Sequence, residues 1–567
     1  MLSAQSGAVH VPVRSAGEFL YLPFPFDILS GPVPISMYCM ESSKRKGPGK
    51  PMRKFTFIKN AAILTATALI LRTLGIFFRI YMSNAIGAEG MGLYQLIFSV
   101  YVLAAAFAAG GISTAVTRLC TDELACGSKK STIKILRKAL ILTAVVSILS
   151  MLLVFFFADT ISSLFLRDMR AAPALRILCP SLPFMGISSC LRGYFIARRK
   201  TGNPSAAQIF EQLVRIGTVM LLLTQWAGRG VTWACAAVLL GDTVAEICSC
   251  GWLYIGYLRD KGRLPAHAER RGTPDYPVYK KILSIALPIT GGRYLNTVLR
   301  TAENLLIPGC LSRFAGGRES GLSQFGMLKG MAMPLLFFPS SFLSALATLL
   351  VPEISEAAAR GQRRKVQRTA SRSIHITLAA SILIGGLFLL FAPQLGDIIY
   401  HSEEVGYLLR ALAPIVPFMY LESVCDGILK GLNQQVSSFA YSLADSVSRI
   451  LLILALVPFK GMQGFLAVMV FSNILTSSLN IRRLLQVTGL RLRLAQWIFK
   501  PLLSLAAAGA ASLPLFSALD GAGLPLLFAA GLSILLACGV YLLVLFLTGG
   551  IRKEDLKAFS GRETAAA

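Results

Sequence analysis

Residues 175–185, Leu-Arg-Ile-Leu-Cys-Pro-Ser-Leu-Pro-Phe-Met, return at 409–419 as Leu-Arg-Ala-Leu-Ala-Pro-Ile-Val-Pro-Phe-Met, 234 positions later. The same offset carries Gly92 to Gly326, Thr114 to Thr348, Ser147 to Ser381, Gly193 to Gly427, Glu211 to Asp445 and Arg215 to Arg449. One register without gaps over so much chain marks an internal duplication. Around it, from Ala61 onward, fourteen apolar segments are each long enough, at 1.5 Å per residue, to cross a hydrocarbon core of about 30 Å. Six of them fall in each repeat. An even number makes both repeats enter the membrane in the same direction, so an axis along the membrane normal should relate them. The expected fold is an all-α integral membrane protein of two six-helix lobes facing each other across a cavity.

The boundaries follow from this pattern. Residues 52–258 form the N-terminal lobe, 259–281 a basic cytoplasmic linker and 282–486 the C-terminal lobe. Two further spans within 494–548 lie outside the repeat, and 549–567 make a cytoplasmic tail. The first 51 residues read differently: their longest apolar run, Phe19 to Phe26, is short and interrupted by Pro23 and Pro25, which suits neither a span nor a signal peptide. Met52-Arg53-Lys54 leads straight into the first apolar segment, so Met40 or Met52 are alternative starts and the extension is assigned no function.

Composition agrees with the membrane. Of 567 residues 54% are hydrophobic and 15% charged, with a mean hydropathy of +0.64, which excludes a disordered chain and an ordinary soluble enzyme. The 56 Lys and Arg against 28 Asp and Glu leave a net charge of +28. Most of these cations fall in alternate loops, which retains those loops and both termini in the cytoplasm. Topology and attraction to anionic lipid therefore account for the excess, and nucleic-acid binding is not required. Eleven cysteines lie mostly in apolar stretches without paired metal-ligand spacing, and Cys248 and Cys250 make only a C-x-C, so all read as packing residues. His10, His267, His375 and His401 are scattered, and no phosphate-binding G-x-x-x-x-G-K-[ST] occurs, so neither a metal cofactor nor an ATP site is expected.

Charges inside spans carry the functional signal, because each costs about 2.5–3.5 kcal/mol to insert. Arg72 and Arg79 on the first span lie seven residues apart, on one helical face and roughly 10 Å apart along it. Arg293 and Arg300 repeat the spacing on the seventh span, at matching depth. Four guanidiniums on the first helix of each lobe would make a cationic cavity suited to phosphate oxygens, with Lys329 adding to the field. The competing reading has Arg79 and Arg300 snorkelling to the outer interface and Glu303 neutralising Arg300. Glu211 with Arg215, and Asp445 with Arg449, are acid-before-base pairs at i, i+4 that lower their own insertion cost. Asp242 with Glu246, and Glu422 with Asp426, are acidic pairs without a base in the same turn. They are candidates for proton or sodium coupling, or for pairing with a neighbouring helix. Pro180, Pro183, Pro288, Pro334, Pro339, Pro414 and Pro417 sit within spans, where they kink helices.

These residues resemble a known family. Arg72 to Ile80 (RTLGIFFRI) and Ile86 to Leu96 (IGAEGMGLYQL) are similar to the opening of the polysaccharide-export branch of the multidrug/oligosaccharidyl-lipid/polysaccharide (MOP) exporter superfamily, and within it to the sporulation and lipid II flippase members. Met331 to Leu335 (MAMPL), Pro339 and Leu346 to Glu353 (LATLLVPE) support it, and the likeness runs from about Met52 to Leu547. The resemblance implies a flippase, not an enzyme, that moves undecaprenyl-diphosphate-linked saccharides or peptidoglycan precursors across the bacterial cytoplasmic membrane by alternating access. Its sporulation members serve the spore cortex. It implies cavity-lining roles for Arg72 and Arg79. The family's further cavity arginine in helix eight has no clean match here, Lys329 being the nearest cation. It also implies a lipid-tail groove at the last two spans, Leu494 to Phe516 and Leu524 to Leu547. An ion-coupled exporter of organic cations keeps the architecture but needs a cavity of opposite sign. A membrane glycan polymerase would need a large outer loop, and only the loop with His401, Glu403 and Glu404 offers suitable groups.

Overall fold

The computed structural model describes residues 54–125, 129–262, 277–490 and 493–550. The N-terminal extension, most of the linker and nearly all of the tail lie outside the described residues. The contacts divide the chain into residues 1–54 and 55–567, and the second unit holds the helical bundle.

Every regular element among the described residues is helical. In the first half the α-helices of eight or more residues are α1 (Lys54–Ala109), α2 (Ile112–Ala125), α3 (Lys129–Phe156), α4 (Ala171–Leu178), α5 (Ser181–Ala197), α6 (Gly202–Trp226) and α7 (Val231–Gly262). The second half holds α8 (Val278–Ala315), α9 (Arg318–Phe325), α10 (Ser340–Ala359), α11 (Arg363–Tyr400), α12 (Glu403–Leu412), α13 (Val416–Gly431) and α14 (Gln435–Thr488). A hairpin of α15 (Lys500–Gly521) and α16 (Leu526–Leu547) completes the bundle.

Where the sequence predicts fourteen spans, the described residues contain ten helices long and apolar enough to cross a membrane. Two causes separate the numbers. α1 and α14 each join two predicted spans through a bend at one glycine, Gly87 (φ 72°) and Gly461 (φ 55°), where the left-handed backbone costs a side-chain-free residue little. The seventh and eighth predicted spans are also not among the ten: α8, 38 residues long, carries Arg293, Arg300 and Glu303 in its middle, and the stretch that follows is divided between α9, a π-helical segment, the short helix Met333–Phe337 and α10.

The duplication read from side chains recurs in the backbone. Phe157 (φ −92°) and Phe391 (φ −117°), 234 apart, interrupt otherwise continuous helix at the ends of equivalent segments. Among the described residues the four non-glycine residues with positive φ fall into two pairs at the same offset, Arg167 with His401 and Arg199 with Asn433. Such conformations are uncommon for residues with a Cβ. α4 ends at Leu178 and α12 at Leu412, again 234 apart, each just before a proline-bearing break. Pro183 and Pro417 then fall in the first turn of the next helix, where a missing N–H leaves nothing unpaired.

In lipid, helices associate by close packing rather than by escape from water, so small residues mark contacts. The tightest contact joins the halves. A Cβ on Gly92 would lie 2.2 Å from the Leu322 carbonyl oxygen, and one on Gly326 would lie 1.9 Å from that of Ala88. Residues 88 and 322, like 92 and 326, are 234 apart, so each half presents the same two positions to the other. Around this crossing one apolar core runs through both halves, including Met91, Leu93 and Ile97 with Leu322, Phe325 and Leu328. The C-terminal hairpin docks on α11: the Tyr541 hydroxyl donates to the Ala379 carbonyl at 2.7 Å, and Phe516 meets Phe391 with ring centroids 6.1 Å apart.

Candidate functional site: two buried ionic clusters

In the first half the helical pair Glu211–Arg215 on α6 is the centre of a larger network. Arg215 Nη2 lies 3.1 Å from Glu211 Oε1, and Arg215 Nε lies 2.7 Å from Asp242 Oδ1 on α7. The second contact is between charges, since the Nε–H is not aimed along it. From α5, Arg192 Nη2 reaches Glu211 Oε2 at 2.8 Å, and the Tyr94 hydroxyl on α1 donates to Asp242 Oδ2 at 3.5 Å. Four helices thus converge on two carboxylates and two guanidiniums. Asp242, read from the sequence as half of an unpaired acidic couple, takes its base from the neighbouring helix. Glu246, one turn along α7, has a buried Oε2 without a hydrogen-bond partner.

The second half builds a cluster around Arg449. Its Nη2 pairs with Asp445 one turn earlier, and Ser472 donates to the other oxygen of that carboxylate. Its Nη1 lies 3.4 Å from Glu303 Oε1 on α8, and Lys329 Nζ lies 3.5 Å from the same oxygen. Glu303, only 4% exposed, is therefore held by Lys329 and Arg449, where the sequence offered Arg300 as its partner. Lys329 projects from a π-helical segment, Gly326–Ala332, an irregularity often found where a helix serves a function. Asp426 pairs with Lys430 and accepts from Ser438. Glu422 has no hydrogen bond or ion pair among the described residues, but Asp445, Arg449 and Arg300 act on it electrostatically.

The arginines of the expected cavity occupy different settings. Arg72, Arg293 and Arg300 are exposed, while Arg79 is half-buried. Arg79 is an electrostatic neighbour of Tyr94 in the first half and of Tyr400 in the second. Arg300 stands in the same relation to Lys329 and Glu422. The halves also meet through α8: Asn304 Nδ2 donates to Ser99 Oγ at 3.0 Å, and the Thr301 hydroxyl to the Ser99 carbonyl at 3.2 Å. Beside this seam lies an apolar crevice of about 400 Å³, lined by Val100, Phe107 and Leu153 from one half and by Tyr294 and Leu305 from the other.

Sequence reasoning missed Arg192 and Tyr94. Arg192 is an arginine within an apolar run, which was a usable signal, but pairing it with Glu211 nineteen residues on requires the register of the α5–α6 hairpin. Among the described residues no three His, Cys, Asp or Glu side chains gather as metal ligands, and all nine described cysteines are free thiols.

A duplicated helical bundle that buries a compensated charge cluster within each of its two halves is the build of a multi-pass membrane transporter of the MOP superfamily. The chain matches the model of the "Polysaccharide biosynthesis protein" family over residues 57–358, and belongs to that family; the MatE model matches residues 320–454. Stage V sporulation protein B of Bacillus subtilis (strain 168) is 26% identical over 449 residues, which cover 79% of this chain and 87% of that protein. Lipid II flippase MurJ of the same organism is 22% identical over 440 residues, 72% of this chain and 78% of that protein. Among solved structures, "Lipid II flippase MurJ, inward closed conformation" superposes with a TM-score of 0.65 at 15% identity, covering 87% of this chain and all of that one. An inward-facing multidrug resistance MATE family transporter gives 0.57 at 16% identity, with 76% and 98% covered. These likenesses fix the fold, and the protein is a multi-pass bacterial membrane protein.

Proposed function

We propose that this protein is a flippase that carries an undecaprenyl-diphosphate-linked saccharide, of the peptidoglycan-precursor type, across the cytoplasmic membrane by alternating access of two six-helix lobes. The observation that supports the cargo best is the company kept by the second arginine on the first helix of each half. Arg79 acts electrostatically on tyrosines of both halves, and Arg300 on the half-buried Lys329. The two clusters are already balanced internally by Glu211, Asp242, Glu303 and Asp445, so Arg79 and Arg300, together with Arg293, supply the field a diphosphate would meet, and Arg72 lies on the same helix as Arg79. Guanidinium retains its charge when desolvated and bonds phosphate through paired N–H groups.

Nothing is covalently changed in such a cycle. The prenyl tail would stay in lipid against the α15–α16 hairpin, whose Leu527, Phe528, Leu535 and Leu543 are exposed. For coupling to an ion gradient, Glu246 and Glu422 are the carboxylates to consider, since Asp242 and Asp426 are each held by a base. The reading is tested by native mass spectrometry of the purified protein with undecaprenyl-diphosphate-linked muropeptide, for wild type, Arg72→Ala and Arg293→Ala. Wild type should retain the lipid and both variants lose it. Binding that persists in both variants removes those arginines from the site, and a wild type that ignores the lipid but takes an organic cation replaces the flippase with a cation exporter.

A further inference from the structure

The face that carries residues 157–170 and 316–318, the outer face in the topology read from the sequence, is closed by more than the Gly92–Gly326 crossing. Two straps tie the halves at its edges. On one edge Arg318, at the start of α9, donates from Nη2 to the Leu166 carbonyl at 2.6 Å, and its Nε lies 4.0 Å from Asp168 Oδ2. On the other edge Asn84, on α1, donates from Nδ2 to the Ile399 carbonyl near the end of α11 at 3.0 Å. Residues 84 and 318 are 234 apart, and 399 stands one residue short of the equivalent of 166. The straps are the two copies of one device.

Their chemistry is not equal. Arg318 closes a charged chain in which Asp168 is gripped by Arg170, with an Nη2–Oδ2 distance of 3.0 Å, and Arg170 in turn pairs with Glu89 at 2.7 Å. On the Asn84 edge the equivalents of Glu89, Asp168 and Arg170 are Ser323, Ser402 and Glu404, so the chain cannot form. Ser402 instead caps α12, accepting from the Val405 N–H. Hydrogen bonds between charged groups are roughly twice as strong as neutral ones. When the halves separate on this face, the neutral edge yields first and the charged edge serves as the hinge. α11, which supplies Ile399, is also the helix on which the C-terminal hairpin docks.

We infer that the two halves are latched on this face by two unequal straps, and that the face opens along the Asn84–Ile399 edge, through which a lipid-linked head group leaves beside the α15–α16 hairpin. The exit assignment rests on the flippase reading; the latch does not. The test uses full-length protein in liposomes with matched cysteine pairs joined by a short bis-maleimide, Asn84→Cys with Ser402→Cys on one edge and Asp168→Cys with Arg318→Cys on the other. Transfer of a fluorescent undecaprenyl-diphosphate-linked sugar should fall to background when the first pair is joined and persist when the second is. The reverse pattern, or equal loss from both, overturns the exit assignment. A second measurement needs no cargo: labelling of Gln95→Cys, one turn beneath the crossing, by an impermeant maleimide applied to this face. It should rise several-fold above the native-thiol background in Asn84→Ala/Arg318→Ala, and no rise overturns the latch. If wild type moves no diphosphate lipid, the flippase reading fails while the labelling still reports on the latch.

Discussion

The first-half and second-half clusters start from the same element and end in different chemistry. Each has an acid one turn before an arginine, Glu211–Arg215 and Asp445–Arg449, at equivalent positions. In the first half the arginine's second acid, Asp242, comes from α7. The equivalent of Asp242 is Thr476, whose hydroxyl merely bonds the Ser472 carbonyl in its own helix, and Arg449 takes Glu303 from α8 instead. Arg192, which completes the first cluster, has Asp426 as its equivalent, a reversal of charge. Duplication thus kept the pair and changed what surrounds it. Because α8 also bears Arg293 and Arg300, the second cluster is tied by an ion pair to the cation-bearing first helix of its half, whereas the first cluster reaches α1, with Arg72 and Arg79, only through the Tyr94 hydroxyl.

The sharpest way to break this comparison is to remove the shared arginine from each half. Arg215→Ala strands Glu211 and Asp242, with Arg192 left for only one of them, so it should destabilise by roughly 3–5 kcal/mol, the range for orphaned buried charges. Arg449→Ala leaves Glu303 to Lys329 and Asp445 to the Ser472 hydroxyl, a closer donor than the Tyr94 hydroxyl that Asp242 keeps, and should cost somewhat less. Thermal unfolding of both variants in the same detergent checks the order, and equal losses would mean that Ser472 does not compensate Asp445. Next in size is the crossing. Gly92→Ala and Gly326→Ala place a Cβ inside contact distance of backbone oxygen, and each should cost about 1–3 kcal/mol, as overpacking does. The contact at Gly326 is the closer and meets backbone alone, so its shift should be at least as large as that at Gly92, and a smaller one would show that side to be compliant.

The smallest effect lies at the charged strap. Burial favours the neutral form of Asp168, but hydrogen bonds from the Arg170 guanidinium and backbone N–H, together with the nearby guanidinium charges, outweigh it and hold the carboxyl below its usual range. A depressed carboxylate stabilises the fold at pH above its unfolded value, and that contribution is lost as pH falls through the folded one. Wild type should therefore exceed Asp168→Asn in stability near neutrality, and the gap should close on acidification. Parallel unfolding curves across the acid range would deny the ion pair any part in stability.

Much of this was legible in the chain because it is written at short range or at one fixed offset. The i, i+4 pairs need only helical periodicity, and the repeat needs only Leu175–Met185 against Leu409–Met419. Partners across helices were not legible, because rotation and tilt decide them. Nothing in the sequence says that Asp242 faces Arg215, or that Glu303 turns from Arg300, three residues away on its own helix, toward Lys329 and Arg449. Where one span gives way to the next was less legible, because a single glycine bends α1 and α14 within what runs on as helix.

The contact of Ala88–Gly92 with Leu322–Gly326 has the logic of an isologous dimer interface enclosed in one polypeptide. A half-length chain bearing such a stretch would have carried both sides of the contact, and any change in it would have struck twice. Fusion of two copies removes that constraint. The two faces can diverge singly, as Leu322 against Ala88 shows, provided that both glycines still let the backbones meet.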